Sequence, residues 1–325
     1  MNILGIDIED IILYNRAREG FLTMTATADQ LQQDMQSLSE NHSVETIFVW
    51  DFDWTIINCN SDEYVPAGFL GDEEVAKRIT AEMKEHGPTK WHECVANLIN
   101  ACMLEKACSN DDILEKAAEM PYLIDVKQAL TDVANNKHCR QAIISDGNDK
   151  FIDAYLRKNE MKDYFSAVET NVGSWENNNA ETSFKIRYQS SKYGGHECKL
   201  RCPPNLCKTQ VLKDILNRMK EANGKDAKRP RIVYVGDGHN DACPALQVLN
   251  ENDVLLAREG KRCPNPNSVS GPQFDKNHDN ATSGTFAILS TLEKAERREG
   301  CVPKCRVCPW NTGKELLSLV HGILS

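Results

Sequence analysis

The 325-residue sequence has no uninterrupted apolar stretch near the roughly 20 residues that a membrane-spanning helix requires, so membrane insertion is not expected. Positive charge is also scarce. Lys+Arg total 38 against 48 Asp+Glu, giving a net charge of −10 and a pI near 5.4. A surface of that sign repels phosphate polymers, which argues against a nucleic-acid binder. There is no GxxxxGK phosphate loop, so ATP is not expected as a cofactor, and there is no internal repeat. The opening string MNILGIDIEDIILYNR carries acids where a secretion signal carries bases, and a cytoplasmic location is the expectation.

What the sequence does have is a globular balance, 41% apolar with 26% charged residues, and 13 cysteines. An odd number of cysteines spread through a long chain reads as thiols rather than a disulfide framework. Two groups, His196 with Cys198, Cys202 and Cys207, and Cys263 with Cys301, Cys305 and Cys308, hold the residue types of zinc sites. Neither has paired CxxC knuckles, so ordinary thiols are expected at both. The sequons at Asn41 and Asn280 matter only in a secreted chain and are discounted.

Residues 1–45 lack chemical motifs and read as an N-terminal extension. TIFVW (Thr46 to Trp50) is a short β-branched run that breaks into acids, the pattern of a buried strand ending at a polar crevice. QAIIS (Gln141 to Ser145), RIVYV (Arg231 to Val235) and DVLLA (Asp253 to Ala257) repeat it. FIDAYLRKN, LCKTQVLKDILNRMKEA and NDACPALQVL between them have helical spacing. Strands alternating with helices predict an α/β fold, a doubly wound parallel sheet with ligands at the carboxyl ends of its strands. Residues 63–122 are helical in pattern without a strand and read as an inserted helical cap, leaving 46–62 and 123–325 as a discontinuous core. The stretches around WENNNAETSFKIRYQSSKYGG and CPNPNSVSGPQFDKNHDNATSG are expected to be hairpin and loop.

Four clusters carry chemistry. Asp51 and Asp53 follow the first strand and, two residues apart in extended chain, point the same way; such a pair raises a pKa or recruits a hard cation, most simply Mg²⁺. A solvated acidic turn is the alternative for that pair alone. Ser145, ahead of Asp146 and a helix entry, sits where orphan amides suit an oxyanion, though it also reads as a plain cap. Lys208 opens a helix against its dipole and so needs a compensating anion, or is a surface lysine. Gly236-Asp237-Gly238-His239-Asn240-Asp241 allows a sharp turn that aims Asp237 and Asp241 into one crevice; the later acids of an EF-hand are missing.

Their order, strand-DxDxT, strand-Ser, Lys at a helix start and strand-GDxxxD, resembles the haloacid dehalogenase superfamily of phosphatases across Thr46 to Ala257. The longer strings DFDWTIINCNSDEYV, ISDGNDKFI, CPPNLCKTQVL and VYVGDGHNDACPAL resemble its phosphocholine/phosphoethanolamine phosphatase group, which includes pyridoxal phosphate and thiamine monophosphate phosphatases. The resemblance implies that Asp51 is the nucleophile forming an aspartyl-phosphate and Asp53 the proton shuttle. It implies Mg²⁺ held by Asp51, the backbone carbonyl of Asp53, and Asp237. It further implies Thr55, Ser145 and Lys208 on the phosphate oxygens, with Asp241 in support. An acid at Asp53 favours hydrolysis, although a phosphomutase shares these motifs.

For specificity, Asp62 and Asp146 would put negative charge near a dianion, which is counterproductive unless the substrate's organic part is cationic. Phosphoethanolamine or phosphocholine is therefore the first expectation, with Trp54, Tyr64 or Trp91 as candidate faces for a quaternary ammonium. Pyridoxal phosphate or thiamine monophosphate is the alternative, and a catalytically idle scaffold or metal-binding interaction protein is the reading from another class. A small phosphorylated metabolite is the expected partner; the oligomeric state is not legible. His92 and His239 read as bystanders, His239 lying within the fourth motif.

Overall fold

The computed structural model describes residues 46–178, 181–196, 198, 200, 202–224, 228–260 and 286–325. The extension at 1–45, Cys263 and most of the loop expected after the fourth motif strand lie outside the described residues. In chain order the elements begin with β1 (Thr46–Trp50), then helices α1 (Ser61–Leu70), α2 (Asp72–His86), α3 (Trp91–Lys106), α4 (Asn110–Ala118) and α5 (Ile124–Asn135). Next come β2 (Cys139–Asn148), α6 (Asp149–Lys158), β3 (Ala167–Asn178), β4 (Glu181–Arg187) and α7 (Lys208–Asn223). The chain closes with β5 (Arg231–Gly236), α8 (Ala242–Gln247), β6 (Val254–Arg258), α9 (Ile288–Glu299), β7 (Arg306–Trp310) and α10 (Gly313–Leu324).

The seven strands lie in the order β4-β3-β2-β1-β5-β6-β7. All neighbours are parallel except β3 and β4, which pair antiparallel as the expected hairpin. After β1 the chain winds outward to β4, then returns to the other flank of β1 and winds outward again. β1 and β5 therefore bound the point where the winding reverses, the place where an open α/β sheet leaves a crevice at its carboxyl edge. Trp50 pairs with Val235 in that register, so Asp51 and the turn after β5 emerge side by side.

Alternation along the strands divides the core into two faces. Phe48, Trp50, Val233, Val235 and Leu256 face a cluster completed by Leu130 of α5, Tyr155 of α6 and Leu319 of α10. Ile47, Val49, Ile232, Tyr234 and Leu255 face α7, α8 and α9 through Leu212, Ala245 and Leu292. With both faces covered, β1 and β5 must be apolar throughout, which is why they read as continuous runs.

Helices α1 to α4 fill the stretch between β1 and α5. Helix α1 begins at Ser61 rather than Glu63 because the Asn60 side chain accepts the Asp62 N–H at 3.0 Å and caps it. Ala67, Val75, Cys94 and Leu98 form a small core of their own, while Ile99, Cys102 and Ile113 join the large cluster containing Phe52 and Tyr155. Helix α4 starts with a reciprocal capping box between Ser109 and Asp112.

Candidate active site

Asp51 leaves β1 as a buried carboxylate whose Oδ1 accepts the Phe52 N–H at 2.8 Å and lies 2.8 Å from Lys208 Nζ. Its Oδ2 has no hydrogen-bond partner among the described residues. Lys208, the first residue of α7, is fully buried and also donates to Asp241 Oδ1 at 2.7 Å. The anion that a lysine at a helix start requires is thus a pair of carboxylates. Burial alone would lower the Lys208 pKa, but Asp241 and Asp51 outweigh it and hold the ammonium charged.

Asp241 is the most completely satisfied group in the site. Oδ1 also accepts the Tyr234 hydroxyl at 3.0 Å, and Oδ2 accepts the backbone N–H of Asp237 at 3.2 Å and of Gly238 at 2.9 Å. It folds so tightly over the end of β5 that a Cβ on Gly236 would lie 2.4 Å from its Cγ, which is why glycine stands there. Carboxylate oxygens of Asp51, Asp237 and Asp241 lie within 4.8 Å of one another. Burial, and then the charge of Asp241, pushes the Asp51 carboxyl well above the ordinary carboxylate range, with Lys208 opposing. Asp51 and Asp241 share Lys208 among the described residues, and the three clustered carboxylates have the oxygen donors of a site for a divalent cation.

Asp53 accepts the Ser61 N–H at 2.9 Å on Oδ1 and the Ser61 hydroxyl at 3.1 Å on Oδ2, so the first residue of α1 holds it. Burial pushes its pKa up to about 7, against the lowering effect of the Ser61 bonds. Trp54, next in sequence, has φ +57°, a left-handed conformation that costs a bulky residue about 1–3 kcal/mol. Arg258, at the end of β6, stabilises that turn: it donates to the Trp54 carbonyl and, at 2.7 Å, to Asn58 Oδ1. Its guanidinium packs 4.5 Å from the Phe286 ring centroid and 5.0 Å from that of Trp310. No motif in the sequence pointed to Arg258.

Ser145 is fully buried, and its Oγ accepts the Gly147 N–H at 3.1 Å. The point a Gly147 Cβ would occupy lies 3.3 Å from Ser145 Oγ, 3.5 Å from Ser61 Oγ and 3.8 Å from Asp53 Oδ2, so β2, α1 and the turn after β1 converge there. Thr55 is buried in the turn after β1, its hydroxyl without a hydrogen-bond partner among the described residues.

A cavity of about 320 Å³ opens over these residues, lined by Asp51, Asp53 and Asp237 among others. Asp62 and Asp146 both line it. Asp62 is buried, Oδ2 accepts the Trp91 indole N–H at 2.8 Å, and Oδ1 has no hydrogen-bond partner among the described residues. Burial, and then Asp53, pushes its carboxyl well above the usual range, which opposes a permanent anionic anchor for a cationic head group. Asp146 Oδ2 accepts an amide N–H of Asn240 at 3.0 Å. Of the aromatic candidates, Trp54 and Trp91 line the cavity and Tyr64 does not; the Tyr64 hydroxyl donates to the Glu119 carbonyl and Lys116 lies 4.7 Å from its ring centroid. Tyr64 is a packing residue.

Both histidines taken as bystanders line the cavity. Asn171 Oδ1 accepts the Gln189 N–H and its Nδ2 donates to the Asp146 carbonyl, which fixes the amide orientation. The His92 Nε2, 3.2 Å from that Nδ2, must therefore accept, leaving the proton on Nδ1, which has no hydrogen-bond partner among the described residues. Burial lowers the His92 pKa, keeping the ring neutral. A lone histidine in a helical stretch gave no sign of this, because its position depends on β3.

A buried carboxylate beside a buried lysine, a second acid held by a helix start and a further acid pair at the sheet's reversal point form one cluster of acids and a cation. Residues 46–266 match the family described as "Putative Phosphatase", and the chain belongs to that family. Mouse pyridoxal phosphate phosphatase PHOSPHO2 is 31% identical over 219 residues, 67% of this chain and 83% of that one. A thiamine phosphate phosphatase-like protein of Arabidopsis thaliana is 30% identical over 216 residues, 65% of this chain and 80% of that one. A solved phosphoserine phosphatase, a phospho-aspartyl intermediate analogue, superposes with a TM-score of 0.40 at 15% identity, covering 66% of this chain and 87% of that chain. The protein is a phosphoric monoester hydrolase.

Proposed function

We propose that the protein hydrolyses the phosphate ester of a small heteroaromatic metabolite, of the pyridoxal phosphate or thiamine monophosphate kind, through Asp51. The observation that carries the chemistry is the buried Asp51–Lys208–Asp241 chain opening on a cavity that also holds Asp53. Asp51 Oδ2 attacks phosphorus while the bond to the ester oxygen breaks, giving an aspartyl-phosphate. Asp53, whose pKa is raised to about 7 so that both forms are populated near neutral pH, gives its proton to the leaving oxygen. It then takes a proton from the water that attacks phosphorus, releasing phosphate and restoring Asp51. Lys208, Ser145 and Thr55 are the donors available to the phosphoryl oxygens, and Asp241 holds Lys208 in place.

Asp51, the Asp53 carbonyl and Asp237 would hold Mg²⁺, in keeping with their oxygen donors and the proximity of the Asp51 and Asp237 carboxylates. Bound there, the ion supplies charge neutralisation between carboxylate and phosphate.

The substrate class rests on the walls. Trp54, Trp91 and Tyr188 put aromatic side chains in the cavity wall, and the cavity's size fits a small molecule. Asp62, paired to Trp91 and driven toward its neutral form, weakens the case for an ammonium group. The named activities of the mouse and Arabidopsis relatives support the heteroaromatic alternative better than phosphoethanolamine or phosphocholine. A kcat/KM panel over pyridoxal 5′-phosphate, thiamine monophosphate, phosphocholine and phosphoethanolamine tests it: preference for either choline-type ester overturns the substrate assignment. Phosphate release from p-nitrophenyl phosphate is expected to vanish with EDTA and in Asp51→Asn; undiminished turnover in that variant rejects the nucleophile.

A further inference from the structure

The strongest cluster of metal-ligating side chains outside the catalytic acids is made of cysteine. The sulfurs of Cys198, Cys202, Cys207 and Cys243 all lie within 4.8 Å of one another, and those of Cys198 and Cys243 are 3.3 Å apart. Four sulfurs placed tetrahedrally about zinc at about 2.3 Å stand about 3.8 Å from each other, the same scale. All four are unbridged, Cys207 and Cys243 are buried, and the other two are partly so. Three come from the loop entering α7, and the fourth from α8 after the Asp237–Asp241 turn.

The surroundings fit a closed thiolate site. The Thr209 hydroxyl is 2.9 Å from Cys243 Sγ, and the Gln247 side-chain amide points N–H toward Cys243 and Cys198 at 3.7 and 3.9 Å. Hydrogen-bond donors around thiolates are what a ligand shell needs to disperse its negative charge. His196, grouped with these cysteines in the sequence, turns its Nε2 to the Pro203 carbonyl at 2.7 Å, and Cys243 takes the fourth place. The second cysteine group does not converge: Cys305 and Cys308 belong to opposite faces of the sheet, and Cys263 lies outside the described residues.

We infer that Cys198, Cys202, Cys207 and Cys243 bind one zinc ion as a four-thiolate structural site, tying the loop before Lys208 to the helix after Asp241. Soft sulfur donors select zinc over the hard cation suited to the carboxylates, so the two sites do not compete. Binding displaces the thiol protons and leaves no open coordination position for substrate. The tie has a consequence for the cavity. Pro203, Pro204 and Asn205, between the second and third cysteines, form part of its wall, and Cys207 adjoins Lys208. The inference does not depend on which ester is hydrolysed.

The test is metal analysis of the full-length chain purified without chelator or immobilised metal. One zinc per chain is expected, retained through an EDTA dialysis that removes magnesium and released as a mercurial titrates the thiols. Cys202→Ser and Cys243→Ser should lose it, and Cys301→Ser should keep it. Should the first two fail to fold, cobalt in the unaltered chain decides: the intense visible and thiolate charge-transfer absorption of a tetrahedral four-sulfur site supports the assignment. A zinc-free native protein whose four cysteines alkylate freely, or a disulfide between any two of them, overturns it.

Discussion

Asp241→Asn is the sharpest single test of the buried charge chain. The carboxylate accepts four hydrogen bonds, two of them on the oxygen facing Lys208 and Tyr234, and two on the oxygen facing the Asp237 and Gly238 amides. An asparagine keeps the shape but must turn an NH₂ group toward one of these donor pairs, and it removes the countercharge of a lysine with no exposure to water. Breaking a fully buried pair from one side costs about 3–5 kcal/mol. For a chain of this size, at roughly 2–4 °C per kcal/mol, the melting temperature should fall by about 10 °C. Scanning calorimetry on parent and variant reads this directly, and turnover should fall with it because Lys208 loses its anchor. A double variant, Asp241→Asn with Lys208→Met, should lose less than the sum of the singles, since the uncompensated ammonium is gone. A melting temperature for Asp241→Asn within about 1 °C of the parent would refute the argument, since the expected loss corresponds to several kcal/mol.

Two further perturbations probe other parts of the structure. Arg258→Met removes the charged donors to the Trp54 carbonyl and Asn58, with an expected loss of about 2–3 kcal/mol in a melt and a fall in kcat of about 100-fold from the displaced Asp53 turn. Unchanged kcat would separate that turn from Arg258. Glu169 on β3 is ion-paired to Arg218 at 2.6 Å and Lys192 at 3.2 Å; burial raises its pKa, but the two cations prevail and hold it below the ordinary value. A depressed folded pKa means stability that is present above the unfolded value of about 4.3 and is lost as pH falls through the folded one. Glu169→Gln should therefore melt lower than the parent at pH 7, with the gap closing below about pH 4; a gap independent of pH would assign the effect to packing.

The parallel core was legible because strands buried on both faces must be apolar throughout, and Thr46–Trp50, Gln141–Ser145, Arg231–Val235 and, but for Asp253, Asp253–Ala257 fall on strands. The edge was less so. β7 reads RVCPW, with a proline and an arginine in five residues, and carries no run signal; only pairing with β6 makes it a strand. The acids and Lys208 declared themselves because each is unfavourable where its local sequence puts it, and such conflicts point to distant partners. Arg258 and His92 gave no such sign: the first follows an apolar strand as any arginine could, and the second depends on the tautomer Asn171 imposes. Cys243 was hidden for another reason. It lies 36 residues beyond Cys207, at the far side of a crossover, so no local spacing joins it to the other three cysteines.

The dependence of the Trp54 turn on Arg258 also sets an order of events during synthesis. The residue that would attack phosphorus leaves the ribosome early, but the guanidinium that shapes the adjoining turn emerges two hundred residues later. Trp310, one of the rings against which that guanidinium rests, comes later still. A nascent or truncated chain ending before β6 carries the reactive carboxylates without the geometry to use them. Shaping of the Trp54 turn is thus deferred until β6 and β7 have been made.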